Sequence, residues 1–473
     1  GRWRDASAAF LGIPFAQAPV GALRFAAPEP PAPWDGVRDA LAFGATAQRG
    51  DQGITLIPEP SIPGEHTLNV NVFTPAPGDA RAQLPVLVWI HGGAYISGSP
   101  ASPWYDGRAF NRDGVVTVTI SYRLGFDGFG RIPGAPSNRG VRDWLAALEW
   151  VQANIAAFGG DPDRVTIAGQ SAGGGAVLTL LGMPAAQHLF HAAWALSSAL
   201  TDVPAERAAT FAAKLANLAG VAPTRDGFAS VDEAELHRLQ EKATSTDSND
   251  RLAGVVALLD DGLPWGPVID GDLLTRPTLE SLAAGIGADK PLVLGTTDDE
   301  FTMSTDSAAA LLRVIPPSLV LGRIAVPRTV RRAYLADNAQ QRRKGTAALV
   351  GRYATDVVFR RTVVRVADAR GAAPTWVYRF SWPSPTRRWS LHCLDVPFWF
   401  DCLDATGATA IAGDAPPRGL AAALHGSAAE FVRDGDPGWP TWASAPGVTR
   451  IFGGPASAVD VAADGYASVR SLV

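Results

Sequence analysis

Residues 164–183 constrain the fold of this chain more than any other stretch. Arg164-Val-Thr-Ile-Ala168 is β-branched and apolar, and reads as a strand. It runs directly into Gly169-Gln170-Ser171-Ala172-Gly173, and small, helix-compatible residues continue to about Met183. A strand that passes into a helix with no loop between them needs a sharp corner. The corner residue takes strained backbone angles, and its neighbours two away must be small. Gly169 and Gly173 meet that demand around Ser171. Such a corner lifts the hydroxyl clear of the strand and turns the first N–H groups of the helix towards it. Ser171 is therefore the candidate nucleophile. The five-residue pattern alone is common; the strand before it and the helix after it give it weight.

The surrounding sequence has the rhythm of a parallel sheet. Phe10–Pro14 and Leu68–Phe73 read as short strands. Val86-Leu-Val-Trp-Ile90 and Val115-Val-Thr-Val-Thr-Ile120 are continuous apolar or β-branched runs, as expected of strands covered on both faces. Between the second run and the corner, apolar positions from Asp143 to Phe158 recur at helical period, and Gly159-Gly160-Asp161-Pro162 ends them. Pro291–Leu294 and Trp376–Phe380 read as later strands, and Leu420–Val432 as an amphipathic helix. Residues of about 200–290 and 300–375 are helical in character, with a polar loop expected at Thr244–Asp250. Strand, helix, strand, tight turn, helix is an α/β pattern.

An acyl-transfer nucleophile needs donors for the developing oxyanion and a base. His91-Gly92-Gly93-Ala94 closes the strand at Ile90. Its consecutive glycines allow the backbone N–H groups of Gly92 and Gly93 to approach one oxygen, and the Ala172 N–H would be a third donor. The base follows by elimination among seven histidines. Chain order in hydrolases with this corner is Ser, acid, His, which leaves His392 and His425. His425 falls in a helix; His392 follows a turn-rich stretch and precedes the aromatic run Pro397–Phe400, so His392 is the expected base. For the acid, Asp298, Asp299 and Glu300 all lie just past the strand at Pro291–Leu294, and position does not choose among them.

A net charge of -5 with mixed signs gives no reason to expect nucleic acid or an anionic membrane as partner. No apolar run approaches the ~20 residues of a membrane-spanning helix. Two cysteines, Cys393 and Cys402, exclude a disulfide framework and a Cys-rich zinc site, and free thiols are expected. No metal or organic cofactor is implied, and the oligomeric state stays open. The expected compartment is the bacterial cytoplasm; residue 1 is Gly rather than Met, so an upstream segment and secretion stay open.

Longer strings resemble the type-B carboxylesterase/lipase family, the cholinesterase-like esterases. Phe10-Leu-Gly-Ile-Pro-Phe-Ala16, Pro19-Val-Gly-Ala-Leu-Arg-Phe25, Tyr122-Arg-Leu-Gly125, Asn154–Pro162 and Thr166–Gly174 all match its signatures. The resemblance implies an α/β-hydrolase fold: one catalytic domain over residues 1–473 with a large, mostly parallel sheet, and helical cap segments at about 200–290 and 300–375. It also implies Glu300 as the acid, because Gly295-Thr-Thr-Asp-Asp-Glu300 matches the family's Gly-x-x-x-Asp-Glu, and it supports His392. Ser197 falls where the family has a second serine able to hydrogen-bond the acid. Phe301 stands where the family has Gly, and Thr67 stands in place of a cysteine in Glu65-His-Thr-Leu68. The expected activity is hydrolysis of small to medium aryl or alkyl esters through an acyl-enzyme. The same triad would serve an amide or carbamate hydrolase, and a non-catalytic binding protein on the same fold is the alternative of a different class. Trp104, Trp265, Phe398 and Trp399 lie in segments expected to line the substrate pocket.

Overall fold

The computed structural model describes residues 1–48, 56–244, 259, 262–453 and 460–473; most of the loop expected at Thr244–Asp250 lies outside them. Among the described residues, eleven strands form one sheet in the order β1-β2-β3-β5-β4-β6-β7-β10-β11-β12-β13. They are β1 Arg2–Arg4, β2 Ser7–Pro14, β3 Asn69–Thr74, β4 Leu84–Ile90, β5 Val116–Ile120, β6 Gly160–Gln170, β7 Ala192–Leu196, β10 Leu292–Thr297, β11 Thr375–Phe380, β12 Thr449–Phe452 and β13 Asp460–Ala462. The strands β8 Val203–Pro204 and β9 Val268–Ile269 pair separately. From β5 through β12 every neighbouring pair is parallel, whereas β1, β2, β3 and β13 join antiparallel at the margins.

The continuous apolar runs are explained by two cores, one on each face of the sheet. Along β4, Val86, Val88 and Ile90 enter one core, and Leu87 and Trp89 enter the other. A strand with period two and no polar face is what a sheet covered on both sides requires. The helix Arg139–Asn154 covers the first core with Val141, Trp144, Ala147, Leu148 and Val151, spaced at three and four residues. It tightens into the turn Ile155–Phe158 and stops at Gly159, whose φ is 81°. The helix Ala172–Leu181 is buried at every residue, which its small and aliphatic side chains permit. The helix Arg418–Asp434 covers the second core with Ala421, Leu424, Ala428, Phe431 and Val432.

The region of about 200–290 contains the helices Ala205–Ala219 and Glu233–Thr244, and that of about 300–375 holds Arg328–Asp337, Thr346–Thr355 and Arg361–Arg370. Among the described residues no helix is long and apolar enough to cross a membrane. Cys393 and Cys402 are both buried and free.

Candidate active site

The carboxyl ends of four parallel strands deliver the candidate residues to one place. β4 runs into His91–Gly93, β6 into Ser171, β10 into the acidic loop 298–300, and β11 precedes the loop that carries His392. Loops at the carboxyl edge of a parallel sheet converge there, which is why such edges hold sites.

Ser171 sits at φ 59° and ψ -120°. That is a costly conformation for a residue with a side chain. Its surroundings over-determine it. The Ser171 N–H donates to the Leu196 carbonyl at 2.9 Å, and the Ser171 carbonyl accepts from Gly175 and Ala199 at 2.9 and 3.0 Å. The flanking glycines are required by close approach: a Cβ on Gly173 would collide with the Ile90 carbonyl oxygen, and one on Gly169 with the Gly173 backbone. Ala172 opens the helix, so its N–H is among those that a helix leaves unpaired.

The loop after β4 is equally tight. A Cβ on Gly93 would strike Ser97, and Ala94 and Tyr95 hold positive φ of 53° and 63°. The Gly93 carbonyl accepts from the Ile96 and Ser97 N–H groups, which folds the loop back on itself. His91 is fully buried, stacked on Tyr122 with its Nδ1 beside the Gly92 carbonyl. Burial pushes its pKa down to about 4, so it is a neutral packing residue at ordinary pH.

The three adjacent carboxylates part company. Asp298 faces Arg379 at 2.7 Å and Arg360 at 3.1 Å. Burial alone would raise its pKa, but these guanidiniums outweigh it and hold the group below the ordinary carboxylate range. Asp299 accepts from Arg352 and Gln341, each at 2.9 Å. Glu300, fully buried, meets His392: its Oε2 lies 2.5 Å from Nδ1, and its Oε1 accepts the Thr297 N–H at 2.8 Å. Backbone bonds fasten the two loops together, His392 N–H to the Glu300 carbonyl at 3.0 Å and Asp299 N–H to the Ser390 carbonyl at 2.8 Å.

On the other side of the ring, the Gln170 side-chain amide meets His392 Nε2 at 3.1 Å. In the neutral ring the carboxylate holds the proton on Nδ1, and Nε2 is left to accept from the Gln170 N–H. Among the described residues no hydrogen bond joins the Ser171 hydroxyl to His392. A nucleophile–base contact that is open in the unliganded state is common in hydrolases. Burial opposes a charge on His392, but the Cys393 and Glu300 side chains that face the ring more than offset it and hold its pKa above the ordinary value.

Ser171, His392 and Gly93 line a cavity of about 250 Å³, together with Leu56, Ile57, Glu59, Ala94, Ser97, Gln170, Phe301 and Cys393. The aromatic residues expected here lie elsewhere. Trp104, Phe398 and Trp399 are fully buried in the second core: Trp104 donates its indole N–H to the Thr406 carbonyl, Phe398 packs on Phe380 and Trp382, and Trp399 on Trp89, Phe110 and Trp194. Trp265 packs on Phe126 and Phe211 in the first core. The run after His392 thus anchors its loop in the core and does not line this cavity. The Ser197 hydroxyl is buried without a hydrogen-bond partner among the described residues, and the Thr297 N–H takes the place expected for it on Glu300. His425 packs in its helix, between the Trp399 carbonyl and Asp113.

Of the cavity residues that sequence reasoning missed, Gln170 and Cys393 adjoin motif positions, whereas Glu59 is marked only by the prolines on either side of it. Among the described residues no group of three or more His, Cys, Asp or Glu side chains is placed to hold a metal ion.

The sequence pattern of the carboxylesterase family matches residues 2–447. A para-nitrobenzyl esterase of Bacillus subtilis (strain 168) is 34% identical over 410 residues, 83% of this chain and 79% of that protein. A phenmedipham hydrolase of Pseudarthrobacter oxydans is 31% identical over 509 residues, 98% of this chain and 95% of that one. Among solved structures, a carboxylesterase of Geobacillus stearothermophilus superposes with a TM-score of 0.83 at 34% identity, covering 100% of this chain and 97% of its own.

Proposed function

Since the chain belongs to the carboxylesterase family and is a carboxylesterase with the α/β-hydrolase fold, we propose that it hydrolyses small to medium aryl or alkyl esters with Ser171 as nucleophile, His392 as base and Glu300 as the acid that orients it. The observation that carries this reading is the contact of Glu300 with His392 Nδ1 beside a cavity that Ser171 shares. Glu300 keeps the ring proton on Nδ1, which leaves the Nε2 lone pair for the Ser171 proton. That transfer requires Nε2 to exchange its Gln170 partner for the serine hydroxyl.

Ser171 Oγ attacks the ester carbonyl as His392 takes the proton. The N–H groups of Gly92, Gly93 and Ala172 receive the oxyanion, the first two from the strained loop after β4 and the third from the start of the helix Ala172–Leu181. The tetrahedral intermediate collapses as His392 returns the proton to the leaving alcohol. Water then attacks the acyl-serine by the same route, and the acid product leaves. On this reading the helical regions of about 200–290 and 300–375 are covers of one catalytic domain, and no metal or cofactor takes part.

The test compares the protein with Ser171→Ala on p-nitrophenyl acetate and butyrate. Turnover should fall by at least about a thousandfold in the variant. Equal rates would remove Ser171 from the mechanism. Comparable turnover of the matched anilide would replace the plain-esterase reading with amide hydrolysis.

A further inference from the structure

The loops that carry Glu300 and His392 also wall a second cavity, of about 620 Å³. It shares no lining residue with the cavity of Ser171. Asp298 and Asp299 line the second cavity and Phe301 the first; Arg388 and Trp389 line the second, and His392 and Cys393 the first. The mechanism uses nothing in the second.

Part of its lining is an ion-pair network. Asp298 takes Arg379 and Arg360, and Asp299 takes Arg352 and Gln341. Arg360 also faces Asp356 at 2.7 Å, so three guanidiniums meet three carboxylates. The network is balanced in charge but leaves atoms unmet. Among the described residues the Arg352 Nε–H has no acceptor and the Gln341 Oε1 has no donor. Arg352 is 7% exposed and Gln341 5%, and both line the cavity. Unmet polar atoms this deeply buried call for a partner.

The exposed part of the lining carries surplus positive charge. Lys344 Nζ lies 5.3 Å from the Trp389 ring centroid and the Arg388 guanidinium 5.0 Å from it. Two like charges share one ring, and among the described residues neither side chain has a hydrogen bond or an ion pair. The Trp389 indole N–H is committed to Asp306 at 2.9 Å. Of the further acids in the lining, Asp464 is taken by Arg470 at 2.9 Å, and Asp337 has no partner among the described residues. The unpaired charge of the lining is therefore two cations against one anion.

A ligand that matches this cavity is an anion with oxygens pointing in several directions. Apolar surface is confined to Pro383, Ala467 and the Trp389 ring, so no wall takes an alkyl tail. A phosphate group supplies more charge and more acceptors than a carboxylate, and Lys and Arg are its usual ligands. The space is larger than a bare phosphate fills, and a hydroxyl on the ligand would give the Gln341 Oε1 its donor. We propose that this cavity binds a small, polar phosphate monoester, with Lys344 and Arg388 as its exposed ligands and Arg352 as its buried donor. Seated there, the ligand joins the acid loop, the base loop and the helix Thr346–Thr355 that carries Arg352, and so stabilises the fold that holds them.

The test titrates the protein with glycerol 3-phosphate, inorganic phosphate and butyrate, read by calorimetry and by Tm. Ionic strength is held constant with KCl, at about pH 8, where the phosphate monoester carries close to two charges. Glycerol 3-phosphate should bind saturably and raise Tm, and inorganic phosphate should bind no more tightly than it does. Butyrate, with one charge and an apolar tail, should bind at least about tenfold more weakly. Lys344 and Arg388 are exposed and lie outside the ester cavity. Lys344→Gln and Arg388→Asn should each weaken Kd for glycerol 3-phosphate by about tenfold and shrink the rise in Tm. Asparagine also tolerates the positive φ of 68° at residue 388. Lys344→Arg, which keeps the charge, should bind within about threefold of the unaltered protein. Turnover of p-nitrophenyl butyrate within about twofold shows that each variant is folded. The proposal is overturned by the absence of saturable binding, by a Kd that neither charge-removing variant changes, or by phosphate or butyrate binding more tightly than the monoester. None of these binding readouts depends on which residue attacks the ester.

Discussion

Glu300 and its two neighbours have the same chemistry and unlike surroundings. Asp298 and Asp299 are satisfied by arginines from later in the chain, which leaves Glu300 alone facing the imidazole. A base with a raised pKa is protonated, and idle, up to a higher pH than an ordinary histidine. The acid limb of kcat/KM should therefore have its midpoint above the ordinary ~6.5. Glu300→Gln removes the anion that favours the imidazolium and the acceptor that fixes the tautomer. The acid midpoint should then move down while the plateau falls by about three orders of magnitude or more. A pH–rate profile of both proteins on a p-nitrophenyl ester measures both effects; an unmoved midpoint would show that the carboxylate does not govern the base. At this scale the sequence was informative about residue type and silent about partners. Asp298, Asp299 and Glu300 could not be told apart from position, because the arginines that separate them lie more than fifty residues away at Arg352, Arg360 and Arg379. The resemblance named Glu300 where the residues themselves did not.

Elements were legible in proportion to how strongly burial shaped them. The strands at Val86–Ile90, Val116–Ile120 and the end of β6 announced themselves because both faces are covered. β7, Ala-Ala-Trp-Ala-Leu, gave no such signal: alanine and leucine favour helix, and only its place between β6 and β10 makes it a strand. The marginal strands β1, β12 and β13 are too short for a period to show. The aromatic run after His392 was legible as apolar, but aromatic identity does not say which side of a loop faces a cavity and which faces a core. The corner at Ser171 is the best-specified element, and its glycines have separate jobs. Gly173→Ala places a methyl against the Ile90 carbonyl, which belongs to the strand beside it. It should abolish esterase activity and lower stability by at least about 2 kcal/mol, as read from a urea denaturation midpoint with an unchanged slope. Gly426→Ala meets nothing nearby and lies within the helix Arg418–Asp434, so it should leave activity intact and serve as the control.

At the scale of the whole molecule, several charged groups that are taken out of water meet an opposite charge. Arg123 and Asp143 form a bidentate pair at 2.8 and 2.7 Å with both side chains buried, which joins the segment after β5 to the helix Arg139–Asn154. Arg123→Met leaves Asp143 buried without its counter-charge, with only the backbone N–H of residue 123 as donor, and should cost about 3–5 kcal/mol in a denaturation experiment, with the loss in stability rather than in KM. Sheet order carries a different consequence. The candidate nucleophile follows β6, the acid follows β10 and the base follows β11, and in space these strands stand in the order β6-β7-β10-β11. Backbone bonds fasten the acid loop to the base loop just beyond the paired strands β10 and β11. On the proposed triad, then, a product cut short ahead of β11 lacks its base, and should turn over no ester. Activity becomes a gauge of completed assembly: in refolding from urea, regained turnover should trail the recovery of helical signal.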